Sequence, residues 1–317
     1  MAYQTGTANT AAALKSAFET FLTTNGWALS GGVLSKGGSN IRLTDVSASG
    51  NQVLRLEGAN NAAFTVGVCT QGAKLIVSDV NWPLTYHFFV HASPDTAFCI
   101  VNYNVNYHQF LGFGDIDKLH ASAYTGGNFI AGTWGDNGVT GSIGFTPLAS
   151  GSATSVGDLS GGFNALFWNN TNRSASGGTY AAACASFLHA EIDGAVWPGD
   201  GVEGSRRPSF PLHAAPLMQR GVNAWNQQAV LLPFHLWLPR PSIPATYSYL
   251  GAVAHCRALR LANYNPGDLI TIGSDRWKVF PWFLKDATHP EAGGNGTGTH
   301  SWESTGVYGW AIEYDGP

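Results

Sequence analysis

The residues in this sequence best suited to chemistry are histidines. His87 and His91 stand four apart within YHFFVH, so in a strand their side chains point to the same face, and His108 and His120 follow nearby. Two imidazoles on one face begin a zinc site, but such a site takes further ligands, and no HExxH, HxH or Cys-His cluster supplies them. The expectation is solvent-facing or hydrogen-bonded histidines on a sheet, with no metal. The second candidate chemistry is glycoside hydrolysis, which needs two carboxylates at about 5 Å or about 6.5–9.5 Å. Asp115 and Asp117 in FGDIDK, and Glu191 and Asp193 in HAEIDG, each sit at i and i+2 and so on one strand face. Their glycine neighbours favour solvated turns or carboxylates capping backbone amides, so no catalytic residue is predicted.

Other chemistries leave no pattern. GxSxG is absent, and the Gly-rich runs SGGVLSKGGSN and EAGGNGTGTHS lack GxxxxGK[ST] and read as flexible turns, so no cofactor is predicted. Cys69, Cys99, Cys184 and Cys256 are widely spaced without a CxxC pair, mostly in apolar runs such as AFCIV and AAACAS, which points to buried thiols.

The elements that would position these groups are mainly strands. Thr10 can cap a helix running to about Thr23, with Leu14, Ala17, Phe18, Phe21 and Leu22 at helical spacing and Asn25-Gly26 as a left-handed stop. This helix is expected to open the fold. From Trp27 the pattern turns to short strands punctuated by glycine, and KLIVSDV, YHFFVHAS, DTAFCIVNYN and NYHQFLGFGDIDKL continue it between turns at Trp82-Pro83, Ser93-Pro94-Asp95 and Asn104 to Asn106. Residues from about 121 to 220 are rich in Gly, Ser, Ala and Asn with little alternation. Strand character returns in AVLLPFHLWLPRP, YSYLGAVAHCRALRL and a hairpin around Gly273-Ser274-Asp275, and the chain ends on GVYGWAIEYDGP. The predicted fold is α+β with β dominant: an N-terminal amphipathic helix, then antiparallel, sandwich-like meanders with long Gly/Ser-rich loops. The divisions are 1–135, a helix plus antiparallel β domain; 136–220, a loop-rich insertion; and 221–317, a C-terminal β domain closing on the same core.

Composition narrows the partners. Only 11% of the residues are charged, against roughly 25% in an average globular chain, while 44% are hydrophobic and 40 are glycine. A neutral surface bearing aromatics suits coverage by other subunits. A net charge of −4 gives no basic field for nucleic acid. No apolar run reaches the roughly 20 residues that span a bilayer, and MAYQTGTANT lacks a secretory leader, so folding in the cytoplasm without membrane insertion is expected. Five acids without Lys or Arg between Asp286 and Pro317 (Asp286, Glu291, Glu303, Glu313, Asp315) suggest a local acidic surface.

Three stretches carry a resemblance. MAYQTGTANT leading through a helix to Asn25-Gly26-Trp27 is the first, and HFFVHASPDTAFCIVNYNVNYHQFLGFGDIDKLHASAYTGGNFIAG is the second. The third joins Pro266-Gly267-Asp268, Asp275-Arg276-Trp277-Lys278-Val279-Phe280-Pro281-Trp282, Gly309-Trp310-Ala311-Ile312 and Tyr314-Asp315-Gly316. Together they resemble conserved virion structural proteins of tailed phages, as found in phages of Pseudomonas and related bacteria and often assigned to tail or baseplate. From about 130 to 220 the likeness is weak.

The resemblance implies a structural component of a phage virion, at the tail tip or baseplate, with capsid decoration or the neck as the positional alternative. Its implied partners are other phage virion proteins and further copies of itself around the tail axis, its location the virion, and its activity none. In the residues themselves, DRWKVFPW reads as a strand with Trp277, Val279 and Pro281 on one face and Arg276, Lys278 and Phe280 on the other. Arg276 beside Asp275 suits bracing the turn. The architectural and interaction candidates are Trp27, Asp275, Arg276, Trp277, Pro281, Trp282 and Trp310, with Trp168 and Trp197 in the middle segment. One alternative is a receptor- or glycan-binding tail protein in which exposed Trp168, Trp197 or Trp225 stack on sugars; another is an envelope-polysaccharide hydrolase using the carboxylate pairs.

Overall fold

The computed structural model describes residues 1–48, 50–69, 72–120, 124–135, 185–191, 197, 229–239, 246–261, 263–281, 285 and 308–316. A strand, β1 (Ala2–Ala8), precedes the helix α1 (Ala11–Thr24), so the helix does not open the fold. Alternation of Tyr3, Thr5 and Thr7 was its signal, weakened by Gly6. Thr10 caps the helix, its Oγ1 accepting from the Ala13 amide at 3.1 Å, and Gly26 leaves it at φ +86°, a conformation that a Cβ disfavours. Ala11, Leu14, Phe18, Phe21 and Leu22 form its buried stripe. Five strands follow as an antiparallel meander: β2 (Ala28–Ser30), β3 (Val33–Lys36), β4 (Ser39–Asp45), β5 (Asn51–Ala59) and β6 (Ala73–Ser78).

The next strands build the central sheet. β7 (Leu84–His91), β8 (Thr96–Tyr103) and β9 (Tyr107–Asp115) pair in sequence order, and β1 returns to the outer edge of β7. After the short β10 (Asp117–Lys118), β11 (Gly126–Gly132) pairs with β9, and β12 (Trp134–Gly135) crosses to pair with β6 of the meander. β13 (Ala185–Ala190) completes the sheet in the order β1-β7-β8-β9-β11-β13. The reading of 136–220 as loop-rich did not include this strand; its run ASFLHA is too short to stand out from the surrounding small residues. The remainder of that stretch, apart from Glu191 at β13's end and Trp197, lies outside the described residues.

A third sheet comes from the C-terminal third. β14 (Leu232–Pro239) lies along one edge of the long β15 (Tyr247–Arg260), and β10 and β18 (Tyr308–Glu313) share the other edge. β16 (Leu269–Ile272) and β17 (Asp275–Pro281) form the hairpin foreseen around Gly273-Ser274, and β17 pairs with β18. Among the described residues the fold is therefore β-dominant α+β, with three antiparallel sheets and one helix.

The central sheet has a core on each face. Phe89, Phe98, Ile100, Phe110, Phe129 and Leu188 pack against Phe234, Leu236, Val253, Phe280, Trp310 and Ile312 of the C-terminal sheet. Their neighbours Phe88, Cys99, Leu111, Phe113, Ile130 and Phe187 pack against α1 and the meander. Successive residues face opposite ways, so a strand covered on both sides must be apolar at nearly every position, which explains FFV, AFCIV and QFLGF. Each fully buried Phe contributes about 1.5–3 kcal/mol of burial. A smaller cluster of Trp277, Val279, Leu259, Leu261, Ile270 and Ala311 covers the far face of the C-terminal sheet.

Trp310, 2% exposed and edge-on to Phe110 at a centroid distance of 4.0 Å, joins the two sheets. Trp310→Ala is expected to cost about 3–5 kcal/mol, read as a lower urea midpoint at constant slope. Asp275→Ala in the exposed turn is expected to stay within about 0.5 kcal/mol.

Candidate functional site

The strand register places His87 and His91 on one face, as their spacing predicts, and that face meets the C-terminal sheet. His87 bonds to the Tyr3 hydroxyl at 2.8 Å and packs on Phe280. His91 stacks on His255 with ring centroids 4.5 Å apart and planes 5° from parallel. Both rings are tied to one residue: the His91 Nε2–H donates to the Glu313 carbonyl at 2.9 Å, and the His255 Nδ1–H donates to the Glu313 carboxylate at 2.5 Å. His255 adopts φ +57° at an irregularity in the β14–β15 pairing, and this turns its ring toward His91. Glu313, expected as part of an acidic surface, is thus a tie between two sheets.

Burial keeps His87 and His91 neutral. It lowers His87 to about 4, helped by Lys278, and lowers His91 to about 3 against the hydrogen bond to Glu313. His108, held by Asn102 at 3.1 Å, is likewise lowered to about 3. His120 is exposed. Among the described residues no group of three His, Cys, Asp or Glu side chains could hold a metal. Cys69, Cys99 and Cys256 are buried, and burial pushes the Cys99 and Cys256 thiols well up; Cys184 lies outside the described residues.

A second polar cluster was not foreseen. The chain leaves the central sheet at Asp115, passes the buried Ile116, and enters the C-terminal sheet at Asp117, so the two acids do not share a strand face as their spacing suggested. Asp115 instead faces Ser39 and Asn128. Its Oδ1 accepts from the Ser39 hydroxyl at 2.7 Å and from the Asn128 amide at 2.6 Å. Because the Asn128 NH₂ is donating there, its Oδ1 accepts from the His189 Nδ1–H at 3.3 Å. The orientation of each group fixes that of the next. The His189 Nε2 is left without a hydrogen-bond partner among the described residues, the Glu191 carboxylate lying 3.7 Å away.

Asp115, Asn128 and His189 line a cleft of about 460 Å³ whose other polar groups are Asn60 and Lys118. Lys118 donates to the carbonyls of Gly126 at 2.9 Å and Tyr124 at 3.2 Å. Asn60 Oδ1, like His189 Nε2, is buried without a hydrogen-bond partner among the described residues. A buried acceptor lacking a donor costs about 1–3 kcal/mol. Burial also lowers the His189 pKa, although Glu191 opposes the shift. The only sequence trace of this cleft is the pair of segments Gly37-Gly38-Ser39 and Gly126-Gly127-Asn128, each a Gly-Gly step before a polar residue. Gly-Gly recurs elsewhere in the chain, so the trace becomes specific only in space.

The candidates from the sequence fall largely inside. Trp27 is buried edge-on to Phe113, and Trp277 is buried with the Arg257 guanidinium 5.0 Å from its ring centre. β17 has no bare face: Lys278 sits over the rings of Tyr3 and Tyr314 at 5.1 and 4.7 Å, while Phe280 and Pro281 are buried. Arg276 donates to the Gly316 carbonyl at 2.9 Å and so ties down the segment that follows β18; exposed Asp275 accepts from Ser274. The bracing of the turn by Arg276 is not what forms. Trp197, which only the glycan-binding alternative would expose, is 6% exposed and donates to the Gly67 carbonyl at 2.6 Å, its ring packed into the meander's core. Trp168, Trp225, Trp282 and Asp193 lie outside the described residues.

No protein-family model matches the chain, and no curated protein matches it.

The histidines fix a pH dependence. A group held below its ordinary value binds fewer protons folded than unfolded, so its stabilising contribution is full above about 6.5 and lost as pH falls toward the folded value. The melting temperature is expected to fall between pH 6.5 and 5, with a shallower slope in His91→Gln and His108→Gln; a flat wild-type profile in that window refutes this account.

Proposed function

We propose that the chain is a structural subunit of a phage virion that assembles with neighbouring virion proteins and with copies of itself, with no turnover of its own. One observation carries the reading. The stretches that resemble tailed-phage virion proteins lie far apart in sequence, yet they are hydrogen-bonded or packed neighbours. β1 of the first pairs with β7 of the second, Phe110 of the second packs on Trp310 of the third, and β17 and β18 of the third pair with each other. What the resemblance covers is a continuous scaffold, and its aromatic residues serve packing. The position we favour is the tail tip or baseplate, with copies repeated around the tail axis as cyclic assemblies require; the neck and capsid surface are the competing positions.

Mass spectrometry of particles purified from the phage that encodes this sequence is expected to detect the chain at a stoichiometry matching a ring, and high-resolution imaging of those particles locates it. Presence in the infected-cell lysate with absence from purified particles overturns the proposal. Release of reducing ends from envelope polysaccharide by the purified protein would favour the hydrolase instead.

A further inference from the structure

The cleft beside Asp115 is lined by polar side chains and glycines, with Pro94 and the core residue Ile116. We infer that it is a binding site for a neutral, hydroxyl-rich ligand, namely a single sugar ring or short neutral glycan. Three features of the lining set that chemistry.

The first is charge. The lining carries one carboxylate, Asp115, and one ammonium, Lys118, with the exposed Glu191 carboxylate outside it, 3.7 Å from the His189 Nε2. Neither an anion nor a cation gains a net attraction from such a pair. The lowered His189 pKa keeps that ring neutral, so it does not tip the balance.

The second is the direction of the hydrogen bonds. Asp115 fixes the Asn128 amide, and Asn128 fixes His189 with its proton on Nδ1. The neutral Nε2 is then an acceptor, as is Asn60 Oδ1, and neither has a donor among the described residues. Lys118 has three N–H groups, two of which go to carbonyls. The cleft therefore needs donors for two acceptors and an acceptor for one donor. Adjacent hydroxyls on a sugar ring provide both, because each O–H donates and accepts.

The third is shape. Gly38, Gly126 and Gly127 line the cleft where side chains would collide with its polar groups. A Cβ on Gly38 would lie 2.8 Å from the Asn128 Nδ2, one on Gly126 2.8 Å from the His189 Nδ1, and one on Gly127 2.9 Å from the Lys118 Cδ. The volume of about 460 Å³ falls in the roughly 300–1,000 Å³ range of small-molecule sites, and half-buried Pro94 offers an apolar contact for a ring's C–H face.

The test uses the full chain with a panel of neutral hexoses, N-acetylhexosamines and their disaccharides, read by saturation-transfer NMR. Glucuronate, glucosamine and a zwitterionic amino acid are the charged controls. Binding by one or more neutral sugars is expected, weakened about tenfold in Lys118→Ala and in Asn60→Ala. In isotope-labelled wild-type protein the Gly38, Gly126 and Gly127 amide signals are expected to shift on titration, which tests the location without a variant. No transfer from any neutral sugar, tighter binding of a charged control, or binding that leaves those three amides unmoved overturns the inference. Particle incorporation is independent of these readings, so failure here leaves the virion proposal standing, and the reverse also holds.

Discussion

Burial of the central sheet on both faces is the constraint on which the rest depends. A strand in such a sheet has no solvent side, so Phe88 and Phe89, Phe98 and Cys99, or Phe129 and Ile130 must satisfy two different cores from adjacent positions. A one-residue slip would exchange the two cores' side chains, so pairing register is held by packing on both sides at once. Most polar side chains in this sheet have a hydrogen-bond partner, while Thr96 Oγ1 and His189 Nε2 are buried without one among the described residues. His87, His91, His108 and Gln109 each find one, and the histidines remain neutral because charge has no solvent to reach.

The two outer layers attach to that sheet by different means. The meander and α1 meet it mainly through aliphatic and aromatic side chains, with Phe18 against Phe88 and Trp27 against Phe113, and add polar ties where Gln109 bonds to the Ile76 backbone, Ser39 to Asp115 and Lys36 to Asp95. The C-terminal sheet adds polar fasteners along its seam: the His91–His255 stack on Glu313, the Tyr3 hydroxyl on His87, and Lys278 between two tyrosines. Apolar contact supplies most of the attraction, while the directional bonds choose one alignment among those that bury similar area. The chain's last described residues are part of this fastening, through Arg276 and Glu313.

Where the sheet ends, the requirement for apolar residues ends with it. Asp115 closes β9 at the rim, and the chain steps through Ile116 into the next layer, leaving a gap lined by Asp115, Asn128 and His189, whose side chains are joined by hydrogen bonds. Scaffold and cleft are thus separate uses of the same strands. The resembling stretches supply the rigid frame proposed for an assembled particle, and the rim positions a few polar groups on that frame.

The helix, its caps, the strand-rich character and most strands could be read directly, because Thr10, Asn25-Gly26, 3.6-residue periodicity and unbroken apolar runs act through neighbours in sequence. The hairpin at Gly273-Ser274 was legible for the same reason. β1 and β13 were not, since short strands with small residues gain their order from pairing with β7 and β11, which local pattern does not encode. The same holds for the sites. His87 and His91 were found by spacing, but their partner His255 and their anchor Glu313 come from another sheet. Asp115 was named for a pairing with Asp117 that the crossing between sheets prevents, and its actual partners Ser39 and Asn128 come from separate strands. Sequence determined most of the strands and which side chains must be hidden, because both follow from local sterics and the aversion of apolar surface for water. Tertiary structure alone decided which polar groups meet, because a hydrogen bond depends on distances that only the stacking of three sheets creates.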